Sequence, residues 1–221
     1  MIRIGLIVPA NNVAMEYDLY KLAPEGISFH STRMKPSKGC EPKYPGQFKK
    51  ELKETYNLLK NISGIIVYGR TYGTHKNIDI IKNVINKKLI IPEIAVMDYL
   101  NDNNINKMFI GTPYIKERSI EESKYFMDNN FDVTGYDGLN KVYGLDISNT
   151  EENEIMDLLN RNNDKIKDSN AIYLACTALP TYNILNKIRS KYNKNVISEN
   201  SAILYEISKI LNYKFFIPGI N

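Results

Sequence analysis

The order of apolar and polar runs in the first half of this chain recurs in the second half, 104 to 106 residues later. Pro9 in "LIVPANN" is matched by Pro113 in "GTPYIKE" (113 − 9 = 104). Thr71 after "YGR" is matched by Thr177 after "LAC" (177 − 71 = 106), and Leu89 in "KKLII" by Asn195 in "NKNVI" (195 − 89 = 106). Solenoid repeats run to roughly 20–50 residues, so a period this long describes a whole lobe used twice and not an array. Within each half, short β-rich runs such as "IRIGLIV", "SGIIVYG" and "KKLIIPEI" alternate with amphipathic stretches such as "PGQFKKELKETYNLLKNI". That alternation is the signature of a parallel sheet with crossover helices. The expectation is therefore an α/β protein of two pseudo-symmetric lobes. The first covers 1–103 and the second 104–204, the segment from about 205 to 221 packs back on the first, and a cleft separates the two.

A chain of 221 residues can bury a real core, and 43% hydrophobic with 24% charged residues is close to a globular average. The formal charge of +4 comes from lysines interspersed with glutamates, with no basic stripe, which argues against a nucleic-acid partner. The apolar run at the N-terminus is too short for a signal peptide, and nowhere do eighteen uncharged apolar residues follow one another, so a cytoplasmic protein without a membrane partner is expected. Two cysteines, Cys40 and Cys176, do not make a disulfide scaffold and would remain thiols there. Neither a GxGxxG nor a GxxxxGK[ST] loop is present, which removes a nucleotide-phosphate site.

Open parallel sheets bind ligands beyond the carboxyl ends of their strands. Here those ends read "PANN" and "YGRTYGT" in the first half, "GTPY" and "LACTALPT" in the second. The repeat places Arg70 and Cys176 at equivalent positions, each followed by a threonine, a cation opposite a thiol. A thiol at a strand end, before a helix-compatible segment and near a guanidinium, is placed to ionise. An enediolate formed beside a carboxylate needs fixed donors around its oxygens, which the side chains of Asn12, Thr71, Tyr114 and Thr177 can supply. Arg70 can anchor a second carboxylate by a two-pronged hydrogen bond. Each residue also has a plainer reading. Cys176 would serve as a small buried hydrophobe and Arg70 as a salt-bridge partner across the cleft. Asn12 and Tyr114 would be turn residues, and the two threonines helix caps. Two further groups are candidates for a second base: His75, just after "RTYGT", and Cys40, in the loop "KPSKGCEPKYPG".

The motifs "GLIVPANNVAME", "HSTRMK", "GTPYIKE", "IYLACTALPT", "VISENSAILYEISKIL" and "FIPG", in this order and over nearly the whole chain, resemble the aspartate/glutamate racemase superfamily. The branch they resemble is that of maleate cis-trans isomerases and arylmalonate decarboxylases. The resemblance implies two Rossmann-like lobes, a homodimer, a small carboxylate substrate in the interlobe cleft, and neither a metal nor an organic cofactor. By motif, Cys176 stands at the family's second cysteine, Asn12 at its substrate-binding asparagine and Tyr114 at its tyrosine. Thr71 and Thr177 stand at the carboxylate-cradling positions. Arg70 occupies the place of the first cysteine, and since a guanidinium keeps its proton, two-cysteine racemisation is not expected. The leading expectation is a cofactor-independent enzyme acting at the α-carbon of a small dicarboxylate with one cysteine, like a maleate isomerase or an arylmalonate decarboxylase. The alternatives are a non-catalytic carboxylate-binding regulatory protein, and a racemase with Cys40 or His75 as its second base.

Overall fold

The computed structural model describes residues 1–35 and 44–220. Its first half runs β1 (Ile2–Pro9), α1 (Ala14–Leu22), β2 (Ile27–Met34), α2 (Pro45–Leu59), β3 (Ile65–Tyr68), a 3-10 turn (Thr74–Asn77), α3 (Ile78–Val84), β4 (Lys88–Ile90) and α4 (Pro92–Asp102). The second half runs β5 (Lys107–Tyr114), α5 (Lys116–Asp128), β6 (Asp132–Lys141), α6 (Gly144–Ser148), α7 (Glu152–Asn160), α8 (Asn163–Lys167), β7 (Ala171–Leu174), α9 (Leu185–Tyr192), β8 (Asn195–Ser198) and α10 (Glu199–Leu211). The two four-stranded sheets are parallel and share one order, β2-β1-β3-β4 and β6-β5-β7-β8.

The central strands are buried on both faces, as crossover helices require, which is why "IIVY" and "AIYL" carry no polar alternation. Pro45 and Pro92 start α2 and α4, where the missing N–H costs nothing. Ser198 caps α10, accepting from the Ser201 amide at 3.2 Å. One apolar core runs through both halves, from Ile4, Leu6 and Val8 to Ile172, Leu174 and Ile203, and a smaller one lies under α2 and α3. The chain leaves β1 towards β2 and then crosses back to β3, so each sheet has its switch point between its first and third strands.

Helix α10 packs on α4 and α1 of the first half. Beyond it the tail departs from the expected course, because it returns to the second sheet. The Gly219 amide donates to Asn186 Oδ1 at 3.0 Å, and the Val196 amide donates to the Gly219 carbonyl at 3.3 Å. Gly219 has φ +82, and a Cβ there would fall 2.5 Å from the Val196 carbonyl, so only glycine lets the tail lie this close to β8. Among the described residues no helix is long and apolar enough to cross a membrane.

The repeat has a geometric consequence. Residues related by a pseudo-twofold touch each other only near its axis. Tyr99 on α4 and Tyr205 on α10, 106 residues apart, meet edge to face with ring centroids 5.1 Å apart. Thr71 and Thr177, also 106 apart, are joined by a hydrogen bond from the Thr177 amide to Thr71 Oγ1 at 3.3 Å. The axis therefore passes between the two switch points, and the strand ends of both sheets converge on one place.

Candidate active site

A small cavity of about 50 Å³ lies at that convergence, lined among others by Asn12, Arg70, Thr71, Tyr114, Cys176 and Thr177. The six residues that the strand ends single out thus share one cleft. Pro9, Asn11, Gly69, Tyr72, Gly144, Ile147 and Ala178 complete its wall. His75 is not in the lining. The 3-10 turn carries its ring outward onto Tyr125, stacked at 4.4 Å, with Nδ1 3.8 Å from Glu93 Oε1. Cys40 lies outside the described residues.

Cys176 follows β7 and holds φ +84, the only left-handed residue among the described ones that is neither glycine nor asparagine. This conformation costs a side-chain-bearing residue on the order of 1–3 kcal/mol and persists only where the surroundings over-determine it. Here they do. The Cys176 amide donates to Glu199 Oε1 at 2.9 Å, and its carbonyl accepts from the Leu179 amide at 3.0 Å. Arg70, the repeat equivalent, shows no such distortion, so the strain belongs to the thiol's side of the cleft. Tyr114 lines the cleft together with Cys176, and burial, then the charges of Cys176 and Glu199, hold its hydroxyl pKa well above the usual value. Tyr114 therefore remains a protonated donor beside the sulfur.

Asn12 ties α1 to the opposite half. Its Oδ1 accepts from the Ala14 and Met15 amides at 3.2 and 3.0 Å, and its Nδ2 donates to Thr177 Oγ1 at 3.0 Å. Thr177 in turn donates its hydroxyl hydrogen to the Gly69 carbonyl at 2.8 Å. That hydrogen is spent on the backbone, which corrects the expectation that both threonines offer hydroxyl donors to a ligand. A Cβ on Gly69 would lie 2.5 Å from Met15 Sδ, so glycine permits this junction. The Arg70 guanidinium lines the cleft and also bonds the Tyr68 hydroxyl, whose pKa burial pushes up to about 12 against that neighbour's opposing effect.

The sequence reading missed the group beneath the cleft. Glu199, at the start of α10, is fully buried; Thr71 Oγ1 donates to its Oε2, and Tyr173 Oη donates to its Oε1 at 2.8 Å. Glu93, its equivalent 106 residues earlier at the start of α4, is buried too, as is Glu122 on α5. Tyr173 Oη also lies 3.1 Å from Glu122 Oε1. A phenol has one hydrogen, so one of its two carboxyl contacts needs a proton on the carboxyl. The repeat itself was the available signal, since it pairs Glu93 with Glu199 at equivalent positions in the two halves.

Burial pushes the Glu199 pKa up to about 7, against the lowering effect of hydrogen bonds from Thr71, Tyr173 and the Cys176 and Thr177 amides. Burial also raises Glu93 and Glu122, each pushed further by its carboxylate neighbours. A carboxyl whose folded pKa exceeds its unfolded one stabilises the fold fully below the unfolded value and loses that contribution as pH rises through the folded value. From the ordinary 4.5 to about 7, Glu199 carries about 3 kcal/mol that is lost as pH rises from the unfolded value through the folded one. Thermal denaturation should therefore show the melting temperature falling between about pH 4.5 and 7.5 and levelling off above that. Glu199→Gln should flatten that fall, and an unchanged slope in the variant would refute the assignment.

Comparison with known proteins agrees with this geometry. Residues 87–220, more than half of the chain, match the family model of arylmalonate decarboxylase. A maleate isomerase from Geobacillus stearothermophilus is 21% identical over 98% of this chain and 94% of its own. Two solved structures share the fold. A maleate isomerase from Pseudomonas putida S16 with maleate has a TM-score of 0.84 at 22% identity, over 99% of this chain and 95% of that one. A maleate cis-trans isomerase mutant from Nocardia farcinica, with a covalently bound succinylcysteine intermediate, has a TM-score of 0.83 at 18% identity, over 99% and 96%. With Cys176 at the end of the third strand of the matched half and a cleft shared by two like sheets, the chain belongs to the arylmalonate decarboxylase family.

Proposed function

We propose that this protein is a cofactor-independent enzyme that acts at the α-carbon of a small dicarboxylate with Cys176 as its one thiol. The observation that carries the reading is the strained Cys176 in a cleft whose repeat-equivalent position holds Arg70 instead of a second cysteine. A single thiol suffices for decarboxylation. The bond from the α-carbon to one carboxylate breaks, CO2 leaves, and its electron pair enters an enediolate on the remaining carboxylate. The Cys176 S–H then gives its proton to the α-carbon, and water restores the thiol. Tyr114, Thr71 and the second amide hydrogen of Asn12 are the donors for the enediolate oxygens. Arg70 anchors a carboxylate.

Cis-trans isomerisation of maleate is the second reading, supported by the maleate isomerase relatives. In that case the Cys176 thiolate adds to one alkene carbon and the electron pair moves onto the adjacent carboxylate as an enediolate. The former double bond rotates, and the C–S bond breaks to return thiolate and the trans acid. The succinylcysteine of the Nocardia enzyme is an adduct of this kind. A homodimer, which rests on family resemblance, and a cytoplasmic location belong to the same proposal.

Incubating the protein with maleate, methylmalonate and phenylmalonate, and following products by chromatography, tests the proposal. Fumarate from maleate supports isomerisation, and monoacid with CO2 from methylmalonate supports decarboxylation. Binding of these acids without product would instead assign the cleft to a carboxylate sensor.

A further inference from the structure

Thr71 Oγ1 occupies a junction whose hydrogen positions depend on its neighbours. It accepts from the Thr177 amide at 3.3 Å, it contacts Glu199 Oε2, and it lines the cleft. A threonine hydroxyl has one hydrogen to give and two lone pairs to receive. With Glu199 ionised, the carboxylate takes that hydrogen and Thr71 turns a lone pair towards the cleft. With Glu199 protonated, the carboxyl O–H can donate to Thr71 Oγ1. The Thr177 amide fills the other lone pair, and the threonine hydrogen has only the cleft to point into. Thr177 cannot substitute, because its own hydrogen is held by the Gly69 carbonyl.

We propose that Glu199 is a positioning residue whose proton switches the Thr71 hydroxyl from acceptor to donor, so that the cleft receives a carboxylate only while Glu199 is protonated. The inference rests on the proposed carboxylate chemistry of the cleft and specifies one of its donors. Of the groups facing Glu199, the buried carboxyls of Glu93 on α4 and Glu122 on α5 disfavour a further negative charge, whereas the Tyr173 hydroxyl on β7 and the Cys176 and Thr177 amides donate to Glu199 and favour its ionised form; Tyr114 on β5, a protonated phenol, stands by without charge. Beyond Glu93 lies His75. The raised Glu199 pKa of about 7 places the switch in the physiological range. The pseudo-equivalent Glu93 does not repeat the arrangement, since Thr177, which would face it, is bonded to Gly69.

The test compares two alkylating agents at Cys176, followed by peptide mass: iodoacetate, which carries a carboxylate, and neutral iodoacetamide. Their rate ratio cancels the thiolate fraction and reports carboxylate recognition without any substrate. In the native protein the ratio should fall about tenfold from pH 6 to 8.5, the size expected for one hydrogen bond to a charged group. Glu199→Gln, whose amide donates to Thr71 as the protonated acid would, should hold the high ratio at every pH. Thr71→Val should hold the low ratio at every pH. A native ratio that is high but independent of pH would overturn the switch alone. So would a Glu199→Gln profile like the native one, or a Thr71→Val profile that still falls, which would mean simple charge repulsion. A native ratio no higher than that of free cysteine at any pH would overturn the carboxylate reading of the cleft as well.

Discussion

Cys176→Ala is expected to lower turnover by about a thousandfold or more while leaving the fold intact. A positioned proton donor is worth roughly 10²–10⁴ in rate, and a covalent nucleophile more, so the size of the loss also separates decarboxylation from isomerisation. The fold should survive because Cys176 is partly exposed, and its amide and carbonyl bonds are made by the backbone. Cys176→Gly carries the argument further. At φ +84 glycine is unstrained, so this variant should be as inactive as alanine and about 1 kcal/mol more stable than the native protein in urea denaturation. A thiol kept in a conformation that glycine would occupy more cheaply marks stability given up for function. Loss of stability in Cys176→Gly would show instead that the cysteine is there for packing.

The second large effect concerns Asp18, buried on α1, which closes the junction between the halves. It accepts from the Thr181 amide and hydroxyl, both at 3.0 Å, from Asn200 Nδ2 at 3.0 Å and from the Tyr182 amide at 3.4 Å, all from the second half. Asn200 also donates to the Thr177 carbonyl at 3.1 Å, which links this cluster to the cleft. Burial raises the Asp18 pKa, while the four donors pull it back. Asp18→Ala would leave those donors in a dry interior. Unsatisfied buried groups cost about 1–3 kcal/mol each, less whatever water enters, so a loss of about 3 kcal/mol is expected. In a chain of this size that lowers the melting temperature by roughly 6–12 °C. Asp18→Asn, which keeps one acceptor oxygen, should fall between the two. A shift below about 2 °C in Asp18→Ala would mean that the halves are held by their apolar core alone.

The architecture was readable because a repeat needs no side-chain detail. Offsets of 104 and 106 between prolines and threonines already imply two like sheets, and parallel sheets direct function to their strand ends. Cys176, Arg70, Thr71 and Tyr114 could be picked out for that reason. Its backbone angle could not, because nothing in "LACT" requires a left-handed cysteine. His75 lies near the cleft in sequence but faces away in space, since the rotation of a short 3-10 turn is set by the packing of its ring on Tyr125. Glu199, Glu93 and Glu122 look like ordinary surface acids of amphipathic helices. The burial of Glu93 and Glu199 follows from α4 and α10 meeting at the pseudo-twofold, and that of Glu122 from α5 packing on the second sheet, tertiary contacts that helical periodicity does not report. The roles of the two threonines diverge only through hydrogen bonds between the halves.

The measurement that bears most directly on the central claim is active-site titration. The protein is alkylated with iodoacetamide in steps, with and without saturating dicarboxylate. Label at Cys176 is quantified by peptide mass, and turnover is read on the same samples. The account predicts that activity falls in proportion to label on Cys176, reaches zero at one label per chain, and is protected by the dicarboxylate. A protein fully labelled at Cys176 that still turns over its substrate would contradict it.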